Sequence, residues 1–380
     1  FLAHKLGFRG SEIIVNGPLK PDAFLSACLH HEVQYIVADS MDELRRLDRL
    51  ARQQDRNAAV LLRINPDIIP AGMNKGTATG SRRGCALGLD LKGGEARNAL
   101  ALLPELKNII FEGFHFHIGS GIHHPGDYRR ALRRMKVLVE QAFASGLAIH
   151  TMDIGGGFAA PLSREMTTRE ILVYQGLDRL PAFVSDPDRG TFEAFAQRIT
   201  QGMESIFGGR TMPELVCEPG RSITGPNQFL LLKVHQVKER AGVRKWVTTD
   251  GGIGTVTMPT LYEFHEVFLC NDIRRPRNQR ITINGPGCFA ADVVYRNKRM
   301  PEITEGEVIA VMDSGAYFTS WESAFGHPRP AVVMVKNGKC RTLRRRETFD
   351  EMLSRDVSLS KNQPAAPVLD NLNPPVVDDR

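Results

Sequence analysis

The residues best suited to chemistry lie in three short segments, each at the end of an apolar run. They are residues 113–120 (GFHFHIGS), 153–158 (DIGGGF) and 214–222 (ELVCEPGRS). An apolar run that ends in a polar, glycine-rich turn is typical of a buried parallel strand with functional groups at its carboxyl end. Histidine, serine, glycine, glutamate and arginine at three such ends predict a pocket for a phosphorylated ligand that contains a nitrogen atom.

Three consecutive glycines, Gly155, Gly156 and Gly157, predict where a phosphate would bind. Glycines leave backbone N–H groups exposed, and only glycine lets a phosphate approach the backbone so closely. Ser120 and Arg221 lie at the two other strand ends, and an arginine adds charge-assisted hydrogen bonds to a phosphate. We call these five residues the phosphate cradle.

Glu218 precedes Arg221 by three residues, and two interpretations of this glutamate are open. One is a buried structural ion pair between the two side chains. The other is a carboxylate that bonds a ring nitrogen of the ligand and keeps this nitrogen protonated.

His115 and His117 are two residues apart on a predicted strand, so their side chains point to the same side. A zinc site is not predicted, because no third ligand lies at a spacing that supports one. His115 is expected to pack in the core. Gly119 and Ser120 follow His117 at the end of the strand, so His117 is expected to stack on a ring or to act in catalysis.

These segments belong to an alternating pattern of strands and helices that covers residues 1–226, with a polar loop at 73–85 and an insertion at 162–190. The predicted strands are residues 12–17, 35–40, 58–67, 113–118, 150–154 and 214–218, and the predicted helices are residues 22–30, 41–54, 91–106, 127–145 and 191–207. Six strand–helix units predict a parallel α/β fold, in which the carboxyl ends of the strands lie on one side.

Strands without long helices follow, which predicts a second, mostly β domain at residues 227–358. These strands are expected at residues 229–237, 243–249, 260–269, 280–284, 308–311 and 331–336. Residues 359–380 lack periodicity and contain several prolines, so they are predicted to be a disordered tail.

The composition argues against several classes of protein. The net charge of +6 comes from 49 basic and 43 acidic residues, and the arginine clusters are not interleaved with aromatic residues, so nucleic-acid binding is not predicted. No apolar run approaches the roughly 18 residues of a membrane span. The six cysteines form no CxxC pair and no regular framework, which favours reduced thiols and a cytoplasmic location.

Two further motifs complete an ordered set of five. The set consists of HFHIGS at 115–120, DIGGGF at 153–158, EPGR at 218–221, GPGCFAAD at 285–292 and SGAY at 314–317. In this order the motifs resemble the pyridoxal-phosphate decarboxylases of the alanine-racemase fold type, the group of the ornithine, arginine and diaminopimelate decarboxylases. The resemblance spans residues 12–353. It implies a (β/α)8-type barrel followed by a mostly β C-terminal domain, and pyridoxal 5'-phosphate as the cofactor for decarboxylation of a small-molecule amino-acid substrate.

The resemblance also implies a role for each motif residue. The pyridoxal ring would stack on His117, the pyridine nitrogen would bond to Glu218, and Arg63 would lie near the cofactor. The implied phosphate ligands are Ser120, Gly155, Gly156, Gly157, Arg221 and Tyr317. Cys288 and Asp292 would reach the active site of the partner subunit in a homodimer, where the Cys288 thiol protonates the carbon that has lost carbon dioxide.

The chain departs from the family pattern near its beginning. The family attaches its cofactor to a lysine on the first barrel strand, in a motif like YAVKA that does not occur here; Lys5 lies in a helical context and Lys20 follows a Gly-Pro turn. Six strand–helix units are predicted where the barrel has eight, and two units correspond to about 60 residues. We therefore expect that the first two barrel units are missing and that this chain alone is inactive.

Residues implied in substrate choice differ from those of the best-known family members. Phe289 follows the cysteine, where diaminopimelate decarboxylases have Glu and ornithine decarboxylases have Asp, and Met258 stands where the diaminopimelate enzymes have Arg. Glu263 lies where the ornithine enzymes place an acidic residue, and it is expected to bind substrate. The resemblance thus implies a larger amino-acid-derived substrate, such as a precursor of a siderophore or another secondary metabolite. A racemase of the same fold and an inactive regulatory homologue are the alternatives.

Overall fold

The structure is a computed structural model that describes residues 1–73, 81–181, 190–259 and 262–356. The tail predicted at 359–380 lies outside these residues, as do parts of the loop predicted at 73–85 and of the insertion predicted at 162–190. Within the described ranges, no helix combines the length and the apolar character that crossing a membrane requires.

Short strands alternate with helices in the first part of the chain, as predicted. The strands are β1 (Ile14–Val15), β2 (Tyr35–Ala38), β3 (Ala58–Asn65), β4 (Leu89–Asp90), β5 (Ile109–His115), β6 (Thr151–Asp153), β7 (Ser163–Glu165) and β8 (Glu214–Val216). The helices are α1 (Leu2–Lys5), α2 (Asp22–His30), α3 (Met41–Gln53), α4 (Glu95–Leu102), α5 (Gly126–Ala144), α6 (Thr168–Leu177), α7 (Phe192–Phe207) and α8 (Arg221–Thr224).

Six of these strands form one parallel sheet in the order β1-β2-β3-β5-β6-β8, and β4 pairs with the end of β3. Most neighbouring strands are joined by a helix, which is the connection that parallel strands require. β1 and β8 form the two edges, and within the described part of the chain they are not paired with each other.

The sheet is curled, because side chains from strands that are not neighbours touch. Thr151 of β6 donates from Oγ1 to the hydroxyl of Tyr35 in β2 over 3.1 Å, although β3 and β5 lie between these strands. Asn16 follows one edge strand and Glu218 follows the other, yet Asn16 Nδ2 is 3.3 Å from Glu218 Oε1. Contacts across a sheet are typical of a barrel wall. The predicted parallel α/β barrel class is confirmed.

Helices cover the outer face of the curled sheet. The hydroxyl of Ser40 accepts a hydrogen bond from the backbone N–H of Glu43 at 3.2 Å, which caps the first turn of α3. Leu44, Leu47 and Ala51 recur at helical spacing on α3 and are fully buried against the sheet. One continuous apolar core extends from Val15 to Phe207.

The second part of the chain is mostly β, as predicted. Its strands are β9 (Leu230–Arg240), β10 (Arg244–Thr249), β11 (Glu263–His265), β12 (Val267–Leu269), β13 (Gln279–Asn284), β14 (Val293–Met300), β15 (Val308–Val311), β16 (Val332–Lys336) and β17 (Lys339–Arg344), and its helices are α9 (Phe318–Trp321) and α10 (Phe349–Leu353). A six-stranded sheet has the order β12-β15-β9-β10-β13-β14, and β16 and β17 form a separate hairpin. A second apolar core from Leu232 to Phe318 belongs to this part.

Three features of the second part differ from the prediction. β17 was not predicted, because three of the six residues in its sequence, KCRTLR, are basic. β14 was not predicted, because its sequence VVYRNKRM carries four consecutive polar residues, 296–299, and lacks an apolar run. The strand predicted at 260–269 is divided: β11 pairs with β7 and β12 pairs with β15, while residues 260 and 261 lie outside the described ranges. The pairing of β11 with β7 crosses the predicted domain boundary at 226/227, which itself stays a prediction.

Candidate active site

The carboxyl ends of five parallel strands bring polar side chains together on one side of the sheet. The residues at these ends are Asn16 after β1, Arg63 in β3, His115 in β5, Asp153 in β6 and Glu218 after β8. The curl of the sheet brings the first and the last of them into contact. The strand ends therefore lie close together, as the sequence predicted. The group also includes Asn16, which lies outside the motifs.

The three cradle glycines have conformations and surroundings that other residues do not tolerate. Gly155 and Gly157 have φ angles of +64° and +101°, which L side chains rarely adopt. A Cβ on Gly156 would lie 2.0 Å from the carbonyl oxygen of Glu218, and a Cβ on Gly157 would lie 2.0 Å from that of Gly119. The close approach of these backbones keeps this turn free of side chains, as a phosphate site requires.

Two buried polar atoms beside the cradle lack a hydrogen-bond partner among the described residues: Arg221 Nε and the hydroxyl of Ser222. A buried polar group without a partner costs about 1–3 kcal/mol, so such atoms indicate a place for a ligand. The guanidinium of Arg221 also lies 4.8 Å from the ring centre of Tyr317. The structure thus brings two of the predicted phosphate ligands together, and these residues fit the phosphate of pyridoxal phosphate.

Arg221 forms an ion pair with Glu263, and not with Glu218 as one interpretation of the sequence had it. Arg221 Nη1 is 2.7 Å from Glu263 Oε1, and the side chain of Glu263 is only 1% exposed. His265 Nε2 is 3.0 Å from the other oxygen of Glu263. Burial acts to raise the pKa of Glu263, but the hydrogen bond of His265 and the charge of Arg221 hold this pKa below its ordinary value.

Glu218 is free of Arg221 and faces the open side of the site, with 37% of its side chain exposed. Asn16 Nδ2 donates to its Oε1 at 3.3 Å, and His115 Nε2 is 3.7 Å from the same atom. Burial opposes ionisation of Glu218, but the neighbouring His115 and Asn16 lower its pKa to about 2. An ionised, accessible carboxylate at this position fits a protonated pyridine nitrogen.

His117 carries a neutral ring. Burial, together with the neighbouring charges of His115 and Arg63, lowers the pKa of His117 to about 4. The backbone N–H of Gly156 lies 3.3 Å from Nδ1, which therefore accepts. A half-buried neutral imidazole beside the glycine turn suits the predicted stacking on an aromatic ring. Ser120 is half-buried in the turn that follows Gly119.

Arg63 is buried and acts on the site through Asn16. Its Nη1 donates to Asn16 Oδ1 at 3.3 Å and lies 3.5 Å from Asp39 Oδ1. The prediction that Arg63 lies in the cofactor region is therefore consistent with its position, two contacts away from Glu218.

His115, Asp153 and Glu218 form the one group in the described ranges whose donor atoms are close enough to share a cation, all within 4.8 Å of one another. The amide nitrogen of Asn16, which can only donate, lies 3.0 Å from His115 Nε2 and 3.3 Å from Glu218 Oε1. A hydrogen-bond donor at this place favours a hydrogen-bond network over a metal site. His115 is fully buried, as predicted for a core histidine.

The cysteine motif lies on the second part of the chain, between β13 and β14. Cys288 is exposed. Asp292 is buried, and its carboxylate accepts hydrogen bonds from the backbone N–H groups of Ile253 at 2.7 Å and Gly287 at 2.6 Å. Phe289 is 41% exposed and packs edge-on against Phe325. The predicted roles of Cys288 and Asp292 at a neighbouring subunit stay predictions.

Lys20, one of the two lysines considered as a cofactor lysine, is buried in an ion pair. Its Nζ is 2.9 Å from Glu43 Oε1 and also donates to the carbonyl of Gly17. This lysine joins the loop after β1 to α3, in agreement with the sequence argument that it does not bind the cofactor.

Four residues of the site were missed by the sequence analysis: Asn16, Asp153, Ser222 and His265. Asn16 and Asp153 each end an apolar strand, so the rule that identified Glu218 could have found them. His265 follows Glu263 by two residues on a strand, which is the spacing that places two side chains on one face. Ser222 is the last residue of the segment 214–222, so its position next to Arg221 is a signal that could have found it.

Similarity to known proteins extends over most of this chain. The family model "Pyridoxal-dependent decarboxylase, pyridoxal binding domain" matches residues 2–225. Diaminopimelate decarboxylase from Actinosynnema pretiosum subsp. auranticum is 31% identical over 365 residues, covering 94% of this chain and 75% of the relative. Diaminopimelate decarboxylase from Bacillus subtilis (strain 168) is 28% identical over 360 residues, covering 94% and 77%.

A solved structure extends this similarity to both parts of the chain. Diaminopimelate decarboxylase from M. jannaschii, crystallised in complex with L-lysine, matches with a TM-score of 0.80 at 25% identity, covering 94% of this chain and 76% of that one. The family model alone covers more than half of the 380 residues. The chain therefore belongs to the pyridoxal-dependent decarboxylases, and it is a carboxy-lyase that uses pyridoxal phosphate to decarboxylate an amino acid.

Proposed function

We propose that pyridoxal phosphate binds at the carboxyl ends of β5, β6 and β8, with its phosphate on the cradle and its ring nitrogen on Glu218. The unpartnered Arg221 Nε and Ser222 hydroxyl support the position of the phosphate. The low pKa of Glu218, about 2, supports a carboxylate that stays charged beside a protonated ring nitrogen. Tyr317 and Ser120 complete the phosphate ligands in this proposal.

The chain's own residues orient the reaction and supply a proton. The neutral ring of His117 packs against the cofactor ring, and Glu218 keeps the ring nitrogen protonated. Bound pyridoxal phosphate supplies an electron sink for the carbon that loses carbon dioxide. The Cys288 thiol donates a proton to that carbon, and Asp292 holds the loop that carries Cys288 through its hydrogen bond to Gly287.

The proposed substrate is an amino acid with an uncharged extension at its far end, such as a conjugate made for a siderophore or another secondary metabolite. The observation that carries this proposal is the exposed aromatic pair Phe289 and Phe325 on and beside the Cys288 loop. Phe289 offers an apolar surface where the resemblance expects an acidic group for a cationic substrate end. Met258 is buried in the second core, where the resemblance expects an arginine. The sequence predicted Glu263 as an acidic contact for the substrate. Its carboxylate is already paired with Arg221 and hydrogen-bonded to His265, which also favours a substrate whose far end is uncharged.

Carbon dioxide release from a panel of substrates, measured with a protein that contains the cofactor lysine, tests this proposal. The panel contains four free amino acids, which are meso-diaminopimelate, ornithine, lysine and arginine. It also contains two derivatives acylated on the side-chain amine, one of ornithine and one of diaminopropionate. We expect the acylated compounds to be preferred over their free parents. Preference for diaminopimelate would overturn the substrate proposal and leave the decarboxylase assignment intact. Loss of optical rotation without gas release would indicate a racemase.

We further propose a homodimer with shared active sites and a cytoplasmic location. Cys288 is exposed on the second part of the chain, whereas the cradle lies on the first part, so a thiol supplied by a second subunit is the arrangement that the exposure supports. The six cysteines, all within the described residues, form no disulfide, which suits a reducing compartment. Size-exclusion chromatography with light scattering measures the oligomeric state.

A further inference from the structure

Asn16 occupies an unusual position, because it joins the two edges of the curled sheet. It directly follows β1 at one edge, and its amide nitrogen is 3.3 Å from Glu218 Oε1 beyond the other edge. The same nitrogen is 3.0 Å from His115 Nε2. Asn16 thus lies between the candidate ring-nitrogen carboxylate and the buried histidine behind it.

The orientation of the Asn16 amide is fixed by its other contacts. Its Oδ1 accepts from the backbone N–H of Gly17 at 2.8 Å and from Arg63 Nη1 at 3.3 Å. Both groups can only donate, so the oxygen has to point toward them and the nitrogen toward Glu218. Arg63 is itself held by Asp39 at 3.5 Å. A chain of contacts therefore runs from Asp39 through Arg63 and Asn16 to Glu218.

A donor beside Glu218 determines where the proton on the cofactor nitrogen resides. A hydrogen bond donated to a carboxylate stabilises its charged form and makes it a weaker base. A weaker base at Glu218 leaves the shared proton on the ring nitrogen and not on the carboxylate. A second carboxylate at position 16 would have the opposite effect, because like charges at this distance raise the proton affinity of one of them.

We propose that Asn16, oriented by Arg63, is a positioning residue that holds the Glu218 carboxylate at the ring nitrogen of pyridoxal phosphate and keeps the proton on that nitrogen. The inference rests on the proposed function, since it requires Glu218 to be the partner of the ring nitrogen. It assigns a role in the site to a strand end that none of the five sequence motifs contains.

The test compares two probes that bind without a covalent bond. One is 4'-deoxypyridoxine 5'-phosphate, and the other is its 1-deaza counterpart, in which carbon replaces the ring nitrogen. Their affinities for the folded protein are measured by fluorescence titration near pH 7. In the unchanged protein we expect the nitrogen-bearing probe to bind at least about tenfold more tightly, since only this probe can form a charge-assisted hydrogen bond with Glu218.

Asn16→Asp has the same shape but replaces the donor by a carboxylate, and Asn16→Ala removes the side chain. We expect both variants to lose most of the preference for the nitrogen-bearing probe while the affinity for the deaza probe changes little. The matched control is Asn98→Asp, the same change at an exposed position on α4. The 15N chemical shift of the ring nitrogen in the bound probe reports its protonation directly, and in Asn16→Asp it should move toward that of the unprotonated ring.

Three results would overturn the inference. If both probes lose affinity equally in the Asn16 variants, Asn16 supports the structure of the site as a whole and does not act at the ring nitrogen. A preference that survives in Asn16→Asp and Asn16→Ala would show that Glu218 is held without it, and the proposed site would stand. If the unchanged protein does not distinguish the probes, Glu218 is not the partner of the ring nitrogen, and the proposed cofactor geometry fails together with the inference.

Discussion

Arg221 and Glu263 form a buried ion pair that joins the two parts of the chain, with Nη1 and Oε1 2.7 Å apart. Arg221 follows the EPG turn after β8, and Glu263 begins β11, whose partner β7 belongs to the first part of the chain. The arginine of the cradle is therefore held from the second part. Because both side chains are buried, removal of either leaves an uncompensated charge.

Arg221→Ala is expected to weaken binding of pyridoxal phosphate by about 2 kcal/mol, which is roughly a 30-fold rise in Kd, because a bound phosphate loses a charged ligand. Titration with pyridoxal phosphate and with unphosphorylated pyridoxal isolates this effect. The affinity for pyridoxal should change much less. An unchanged Kd for the phosphorylated compound in a folded variant would count against the proposed cradle.

Glu263→Gln is expected to destabilise the protein by about 3 kcal/mol at neutral pH, because it leaves Arg221 buried without its counter-charge. The pKa of Glu263 is held below its ordinary value of 4.5, so its charged form stabilises the fold above that value, and this contribution is lost as the pH falls below it. Urea denaturation of both proteins should therefore give a constant difference from about pH 6 to pH 8 and a smaller one below about pH 4.5. A difference that grows in acid would contradict the ion pair.

Asp153→Asn is expected to stabilise the protein at alkaline pH. Burial raises the pKa of Asp153 to about 6, with the charge of Glu218 adding to it and His115 opposing it. A raised pKa means that the protonated form is the favoured one, so its contribution to stability is lost as the pH rises through about 6. The variant should gain on the order of 3 kcal/mol at pH 8 and about half as much at pH 5, because in the unfolded chain the side chain ionises near pH 3.8; denaturation at both pH values measures the difference. The same gain at both pH values would show that Asp153 does not titrate in this range.

The sequence predicted the parts of this protein that repeat a pattern. Apolar runs followed by glycine-rich turns identified the strands that lead into His117, Gly155 and Glu218, because such strands need no information beyond their own residues. The sequence did not predict which carboxylate pairs with Arg221. Glu218 is three residues away along the chain, whereas Glu263 is brought into contact by the pairing of β11 with β7.

The contact between Asn16 and Glu218 is another that the sequence did not predict. Asn16 ends a strand with only two residues in the sheet, Ile14 and Val15, and a single polar side chain there has many possible roles. Its contact with Glu218 depends on the curl of the whole sheet, which side-chain periodicity does not determine. β14 was missed for a local reason, since Arg296, Asn297 and Lys298 interrupt its apolar residues.

Mixed dimers test whether Cys288 serves the site of the partner subunit. In a protein that contains the cofactor lysine, the Cys288→Ala and His117→Ala variants are each expected to decarboxylate substrate very slowly. After subunit exchange at equal amounts, about half of the dimers are hybrids with one intact site of two, so about a quarter of the original activity should return. Exchange itself is confirmed by differently tagged subunits. If exchange occurs and activity does not return, the thiol acts within its own chain.

The substrate proposal predicts that Phe289→Glu changes substrate preference with little loss of stability. Phe289 is 41% exposed, and its contact is with Phe325, which is also exposed, so the substitution buries no new charge. A carboxylate at this position would attract a cationic substrate end and repel an apolar one. We expect the ratio of kcat/KM for ornithine to that for its acylated conjugate to rise at least about tenfold, as one charge pair at a partly exposed site allows. Phe325→Glu, a similar change outside the motif, is the matched control and should shift the ratio less. A ratio that does not change in Phe289→Glu would place the far end of the substrate away from the Cys288 loop.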